Sequence, residues 1–231
     1  MEIQHTNSDT IIDNPLLFFE QILSADEMSL LISSSNRVDY TRKDIIIKQN
    51  TRVSHIPFIL SGLVKVTREM RKGKTIILRI EKPQTFLGLT SVYGSETYEY
   101  SAVAIEPSSI LFIDSQALKK IIEGNGVFAF ELIQRLSQRS LFNTSRLTSL
   151  LYKQLPGRVA DIILYFSEDI FESQTFHFPL TRQELAELAG TTKESFIRTL
   201  SEFKNDRIIE MEKNQLTISS MNIIKTLSRL G

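Results

Sequence analysis

The 231-residue chain contains no cysteine. Disulfides, thiolate zinc sites, cysteine-ligated iron–sulfur clusters and thiol nucleophiles are thereby excluded. It also lacks a charge surplus, since 27 Lys and Arg meet 27 Asp and Glu. Proteins that coat nucleic acid without regard to sequence usually carry a strong basic excess, so that class is disfavoured. A sequence-specific reader, which needs only a few well-placed side chains, is not. No run of about 18 apolar residues occurs, so no membrane span is expected. The polar, acidic start from Met1 to Asn14 does not read as a signal peptide, and a cytoplasmic protein is expected. The three histidines, His5, His55 and His177, are too scattered to build a metal centre. There is no Gly-rich phosphate loop and no serine elbow, so neither a catalytic nor a metal site is expected and the chain reads as a non-enzyme.

What is present is a change of texture along the chain. Leu16, Phe19, Ile22 and Leu23 recur at helical spacing, and Ser24 with Glu27 makes a capping box for a second short helix. From Val38 to Ile113, short segments rich in Val, Ile, Phe and Thr alternate with turn residues. The predicted strands are 44–47, 56–60, 63–69, 75–80, 98–104 and 109–113, with turns at Ser61-Gly62, Arg71–Lys74 and Lys82-Pro83. Such spacing predicts an antiparallel sandwich or roll. A short helix then stops at Gly124, and Asn125 can cap the next. From Val127 to Leu155 there is no Pro or Gly, which predicts a helix of roughly 43 Å. Ile133, Leu136, Ser140, Asn143, Leu147, Leu150 and Gln154 alternate by three and four, the pattern of a coiled-coil seam. That stripe either meets a second copy of the chain or packs on the chain's own roll. Its mid-stripe polar residues weaken a pure zipper and could meet a ligand instead. Leu155-Pro156-Gly157 ends the helix and makes a hinge. The expected division is residues 1–126, a long helix over 127–155, and a C-terminal domain over 156–231.

In that last part Thr181 and Glu184 form a second capping box, Leu185 and Leu188 face inward, and Gly190 supplies a left-handed stop. Thr192 caps a further helix whose Phe196, Leu200 and Phe203 share one face. Lys193, Glu194, Ile197 and Arg198 point the other way. Residues 208–211 and 215–218 then alternate like a hairpin. Short helix, glycine turn, second helix and hairpin make a winged helix-turn-helix, whose second helix fits a major groove. Arg198 suits guanine O6/N7, Glu194 suits cytosine N4, and Ile197 suits a thymine methyl. Against this, Glu194 and Arg198 at i, i+4 could be only a solvated ion pair. Residues 156–231 also hold 9 Lys and Arg against 11 Asp and Glu, which is not a basic domain.

The stretch Thr181-Arg182-Gln183-Glu184-Leu185-Ala186, then Gly190, then Lys193 through Leu200, resembles the helix-turn-helix of the Crp/Fnr regulators. Phe58 through Val66 is similar to a hairpin of that family's cyclic-nucleotide-binding-type roll, and Leu155 through Ala160 to its hinge. The resemblance implies an α+β chain: an N-terminal antiparallel β-roll, jelly-roll-like, with a long dimerisation helix and then a C-terminal winged helix-turn-helix. It implies a homodimeric transcription regulator that binds a two-fold symmetric DNA operator, with RNA polymerase as a further partner and no membrane. Carried over by position, Lys193, Glu194, Ile197 and Arg198 read bases, while Arg182, Gln183, Thr192 and Lys213 hold phosphates. Ile133, Leu136, Ser140, Leu147 and Leu150 form the dimer seam.

The sensor departs from the family. Its cyclic-nucleotide binders carry a Gly-Glu early in a phosphate-binding cassette and an Arg-Ser further on. Here Phe86 is read in the glutamate's place and Tyr100 in the arginine's, which argues against cyclic AMP because a buried phosphate would lose its charged partner. If the family's pocket is kept, Phe86, Leu87, Tyr100, Ser101, Asn143 and Thr144 line it. The expected effector is then an unknown small molecule. The alternatives are that Phe86 and Tyr100 fill the pocket and no ligand is needed, or that a histidine such as His55 holds a haem.

Overall fold

The computed structural model describes residues 16–70 and 75–231. His5 and the Arg71–Lys74 turn lie outside the described residues. Two short helices, α1 (Leu17–Glu20) and α2 (Ala25–Ser33), open the fold. The Ser24 hydroxyl accepts the Glu27 N–H while the Glu27 carboxylate accepts the Ser24 N–H, so the capping box is formed. Strands β1 (Ser35–Tyr40), β2 (Ile45–Ile47), β3 (His55–Ser61), β4 (Val64–Glu69) and β5 (Thr75–Glu81) follow. Then come helix α3 (Leu89–Gly94) and strands β6 (Ser101–Ala104) and β7 (Ser108–Asp114). They form two antiparallel sheets, ordered β1-β7-β3 and β2-β6-β4-β5. Ile56, Phe58 and Leu60 of β3 pack with Phe18, Phe19, Phe86 and Phe128 in one apolar cluster. Val64, Val66, Leu87, Tyr98, Tyr100 and Ala102 fill another.

Gly62 makes the β3–β4 turn with φ +83°, and a β-carbon there would stand 2.5 Å from the Pro107 carbonyl oxygen. Strand β1 and helix α3 are additions to the sequence expectation. Strand β6 begins at Ser101, because the Tyr98 backbone bonds instead to Asn50 and Thr51.

Helix α4 (Ser115–Gly124) leads into α5 (Gly126–Tyr152), 27 residues or about 40 Å long. Asn125 joins them: its side-chain oxygen accepts the Phe128 N–H, and its amide donates to the Ile22 carbonyl and to Glu27. The long helix ends earlier than the sequence suggested. Lys153 and Gln154 are extended, and Leu155 belongs to the next helix, α6 (Leu155–Leu164). Pro156 sits in the first turn of α6, where a missing N–H costs nothing. Helix α6 widens into a π turn, Tyr165–Ile170, which the sequence did not announce.

Strand β8 (Thr175–His177), helices α7 (Arg182–Leu188) and α8 (Lys193–Asn205), strands β9 (Ile209–Glu212) and β10 (Gln215–Ile218), and helix α9 (Met221–Leu230) complete the chain. The third sheet is ordered β8-β10-β9. This is the α+β arrangement expected. The two ends of the molecule share packing: Leu63, Ile77, Ile80 and Ile105 of the roll belong to the same apolar cluster as Val159, Phe166, Leu185 and Phe196.

Candidate nucleic-acid interface and ligand cavity

The Thr181 hydroxyl accepts the Glu184 N–H, and Glu184 Oε2 returns to the Thr181 N–H at 2.8 Å, which fixes the start of α7. Gly190 turns the chain with φ +64°. The Thr192 hydroxyl accepts the Ser195 N–H and starts α8. Phe196, Thr199, Leu200 and Phe203 are buried, so α8 is held by one face. Lys193, Glu194, Ile197 and Arg198 all stand exposed on the other. Among the described residues no ion pair joins Glu194 to Arg198, so the solvated-pair alternative is not what the geometry shows. Both are open to an outside partner.

The predicted phosphate-binding residues divide. Gln183 is exposed and donates to Glu187, and Thr192 is exposed although its hydroxyl caps α8. Lys213 is exposed at the tip of the β9–β10 hairpin, the wing, with φ +51°. Arg182 is turned inward. Its guanidinium lies 5.4 Å from the Phe178 ring centre and donates to the Lys213 carbonyl at 3.1 Å. Its Nη1 is buried without a partner, and burial lowers its pKa. Arg182 therefore props the wing, because its planar head finds an aromatic face and a carbonyl nearer than solvent.

The reading unit is clamped from behind. Arg146 of α5 donates to the Leu188 carbonyl and Arg158 of α6 to the Gly190 carbonyl, so two cations hold the carbonyl end of α7. Lys65 of β4 pairs with Glu184 at 2.6 Å. Burial pushes the Glu184 carboxyl up, but bonds from Lys65 and Thr181 outweigh it and leave the pKa below its ordinary value.

A cavity of about 420 Å³ lies between β5, the cassette, α5 and the π turn. Arg79, Glu81, Phe86, Gly88, Leu89, Tyr100, Arg135, Arg139, Phe142 and Tyr165 are among its walls. The Tyr100 hydroxyl accepts the Gly88 N–H at 2.6 Å. The Tyr165 hydroxyl, on the π turn, accepts the Ile80 N–H at 2.9 Å and donates to the Ile80 carbonyl at 2.7 Å.

Residues 37–125 match the cyclic nucleotide-binding domain, and residues 157–227 match the Crp-like helix-turn-helix domain. The chain belongs to the Crp/Fnr family. The CRP-like cAMP-activated global transcriptional regulator of Mycobacterium tuberculosis is 25% identical over 186 residues, 79% of this chain and 83% of that one. The anaerobic regulatory protein of Bacillus subtilis is 23% identical over 198 residues, 84% and 83% of the two chains. The solved structure of FixK2 from Bradyrhizobium japonicum shares the fold, with a TM-score of 0.76 and 18% identity over 84% of this chain and 96% of that one. The protein is thus a DNA-binding transcriptional regulator of the Crp/Fnr family.

Gly88 is left-handed at φ +79° and caps α3, so the residue in the place of the glutamate of a Gly-Glu pair is Leu89, not Phe86. Phe86 instead joins the aromatic cluster, 4.7 Å from Phe58. The Tyr100 hydroxyl occupies the Gly88 N–H that faces it.

Of the six predicted pocket residues, Phe86 and Tyr100 line the cavity. Leu87 is fully buried in the roll, the Ser101 hydroxyl accepts the Gln49 N–H, and Asn143 and Thr144 are exposed outside the cavity. Sequence reasoning missed Arg79, Arg135, Arg139 and Tyr165. The available signal was Arg135 and Arg139, four apart on α5 and off the seam stripe. Among the described residues the haem alternative finds no histidine at the cavity: His55 bonds to the Ser54 hydroxyl, and His177 is exposed on β8.

Proposed function

We propose that the chain acts as a homodimer that reads a two-fold symmetric operator through α8, under control of a small-molecule effector other than cyclic AMP. The observation that carries the DNA reading is the exposed, unpaired set Lys193, Glu194, Ile197 and Arg198 on a helix whose opposite face is locked down. Gln183, Thr192 and Lys213 surround it as phosphate contacts. Arg182 acts on the wing rather than on DNA. Dimerisation is supported by α5, whose Ile133, Leu147 and Leu150 stay exposed at 57%, 59% and 40% on the seam stripe. Apolar side chains so placed on a helix of this length favour a second copy as cover. The working division is roll, long helix and reading domain, with the break at Lys153-Gln154 rather than at Leu155.

The effector reading rests on the cavity. Phe86 and Tyr100 occupy part of the family's pocket, yet about 420 Å³ remains beside them, within the usual range of small-molecule sites. That space favours a ligand over a filled, ligand-independent roll. The test of the DNA reading is selection from a random duplex pool with purified protein at stated salt. A two-fold symmetric motif is expected, and Arg198→Ala is expected to weaken preference at one position per half-site by about 1–3 kcal/mol. An unchanged motif with Arg198→Ala would remove Arg198 from base reading, and no motif with or without a cell extract of small molecules would remove the DNA reading itself.

A further inference from the structure

We propose that the cavity between β5, α5 and the π turn binds a small organic anion, whose carboxylate or phosphate group is held by Arg79 and Arg139. The inference rests on reading the roll as an effector domain and names the class of its ligand.

The argument begins with charge. Arg79 donates through Nε to Glu81 Oε1 at 2.5 Å, and Arg139 donates through Nη1 to the same oxygen. Two guanidinium groups thus share one carboxylate, and the three side chains together carry one positive charge in excess. They are poorly hydrated: Glu81 is 5% exposed, and the side chains of Arg79 and Arg139 are 12% and 27% exposed. A surplus charge withdrawn from water is costly until an opposite charge meets it. Burial, and then the neighbouring Arg79 charge, lowers the Arg139 pKa, as expected of a cation short of anions.

Among the described residues, none of the other ionic groups on the wall pairs directly with Arg79 or Arg139. Arg135 pairs with Glu131 at 2.9 Å and donates to the Gln84 carbonyl. Lys82 pairs with Glu172 at 2.7 Å, and Glu168 with Lys225 at 2.8 Å. Asp169 also lines the cavity, near Tyr165, and makes no ion pair with Arg79 or Arg139; burial and then Glu168 push its carboxyl up and Lys82 pulls it down.

Each guanidinium presents five N–H donors in a plane that matches a carboxylate or phosphate, and the two arginines reach the same cavity. Phe86, Leu89 and Phe142 supply apolar wall, so the ligand carries a carbon skeleton as well as its anionic group. Tyr165 closes the far side. An anion bound here therefore touches the roll, the long helix and the reading domain together.

The test uses the full-length protein, with thermal unfolding and calorimetry against citrate, succinate and inorganic phosphate. Sodium chloride at matched ionic strength and neutral succinamide serve as controls. At least one of the acids is expected to bind saturably, while chloride and succinamide do not. Binding is expected to weaken roughly tenfold or more in Arg139→Gln, to be intermediate in Arg139→Lys, and to be unchanged in Lys119→Gln, an exposed site outside the cavity. If Arg139→Gln fails to fold, Arg139→Lys decides, since it keeps the charge and loses the planar contact. No saturable binding by any of the acids overturns the inference, as does equal binding by native protein and the Arg139 variants. An operator recovered without anion binding sinks this inference and leaves the DNA reading standing. Anion binding without any operator supports the site and sinks the DNA reading.

Discussion

Replacing Tyr165 by Phe isolates one of the contacts that tie the reading domain to the sensor. Strand β5 is the edge of its sheet, so the outward N–H and C=O groups of Ile80 lack a strand partner. One phenol hydroxyl takes both, at 2.9 Å and 2.7 Å. The ring packs on Phe142 and Phe166, and those contacts survive in Phe. What the variant loses is two hydrogen bonds of about 1 kcal/mol each, with both Ile80 groups left unmet. A loss of about 2 kcal/mol corresponds to a thirtyfold rise in the local opening equilibrium. Amide hydrogen exchange reads this directly: Ile80 is expected to exchange about thirtyfold faster in Tyr165→Phe, while the Phe58 amide in the roll keeps its native rate.

Alkaline titration gives the same answer by another route. Burial, the largest influence, pushes the Tyr165 pKa from 10.0 to about 12. A raised phenol pKa means that this stability is complete below pH 10 and is lost as pH rises toward about 12, a limb absent from Tyr165→Phe. An unchanged Ile80 exchange rate would show that the hydroxyl does not hold the two domains together, and the coupling argument would fall.

Three other perturbations probe separate links. Gly190→Ala puts a β-carbon 2.6 Å from Leu150 Cδ2 and forces φ +64° on a non-glycine residue; a loss of about 1–3 kcal/mol in thermal unfolding is expected, and no loss would deny the tight turn. Leu147→Glu changes a side chain that is 59% exposed, so the fold should persist while sedimentation shows a monomer in place of a dimer; an unchanged mass would refute the seam. Glu184, its pKa held down on balance by Lys65 and Thr181, stabilises the junction above the ordinary glutamate range and loses that contribution as pH falls through its lowered value. Glu184→Gln should therefore flatten the acid limb of the unfolding curve, and an identical acid limb would show that the Lys65–Glu184 pair is incidental.

The local chemistry of the caps and turns was legible in the sequence because it acts over three or four residues. Ser24–Glu27, Thr181–Glu184, Asn125, Thr192 and Gly190 all do what their spacing implies. Period-two and helical patterns placed the strands and α8 for the same reason. The failures occurred where a distant partner decides the conformation. Strand β1 carries Asn36, Arg37 and Asp39, a poor strand by composition, yet it is paired along its length with β7. Leu155 looked like the last residue of a long helix, and only the extended Lys153-Gln154 break assigns it to α6.

The two candidate sites differ in legibility for a related reason. The exposed face of α8 lies on one helix, so its four proposed contact residues can be picked out from periodicity alone. The cavity takes Arg79 from β5, Tyr100 from the end of the cassette, Arg139 from α5 and Tyr165 from the π turn. Nothing in the sequence ties Arg79 to Arg139, sixty positions apart, until the roll brings both to Glu81. Reading the cassette by analogy also misplaced its key position, because Phe86 is an apolar anchor and Leu89 follows the glycine. What analogy supplies is the location of a pocket; the sign of the charge that the pocket lacks has to come from its walls. Here two guanidinium groups that share one buried carboxylate are the basis for proposing an anion, and the same strand that carries Arg79 and Glu81 carries Ile80, the residue gripped by Tyr165. A ligand that resettles residues 79 and 81 therefore acts on the neighbouring residue that anchors the DNA-reading domain.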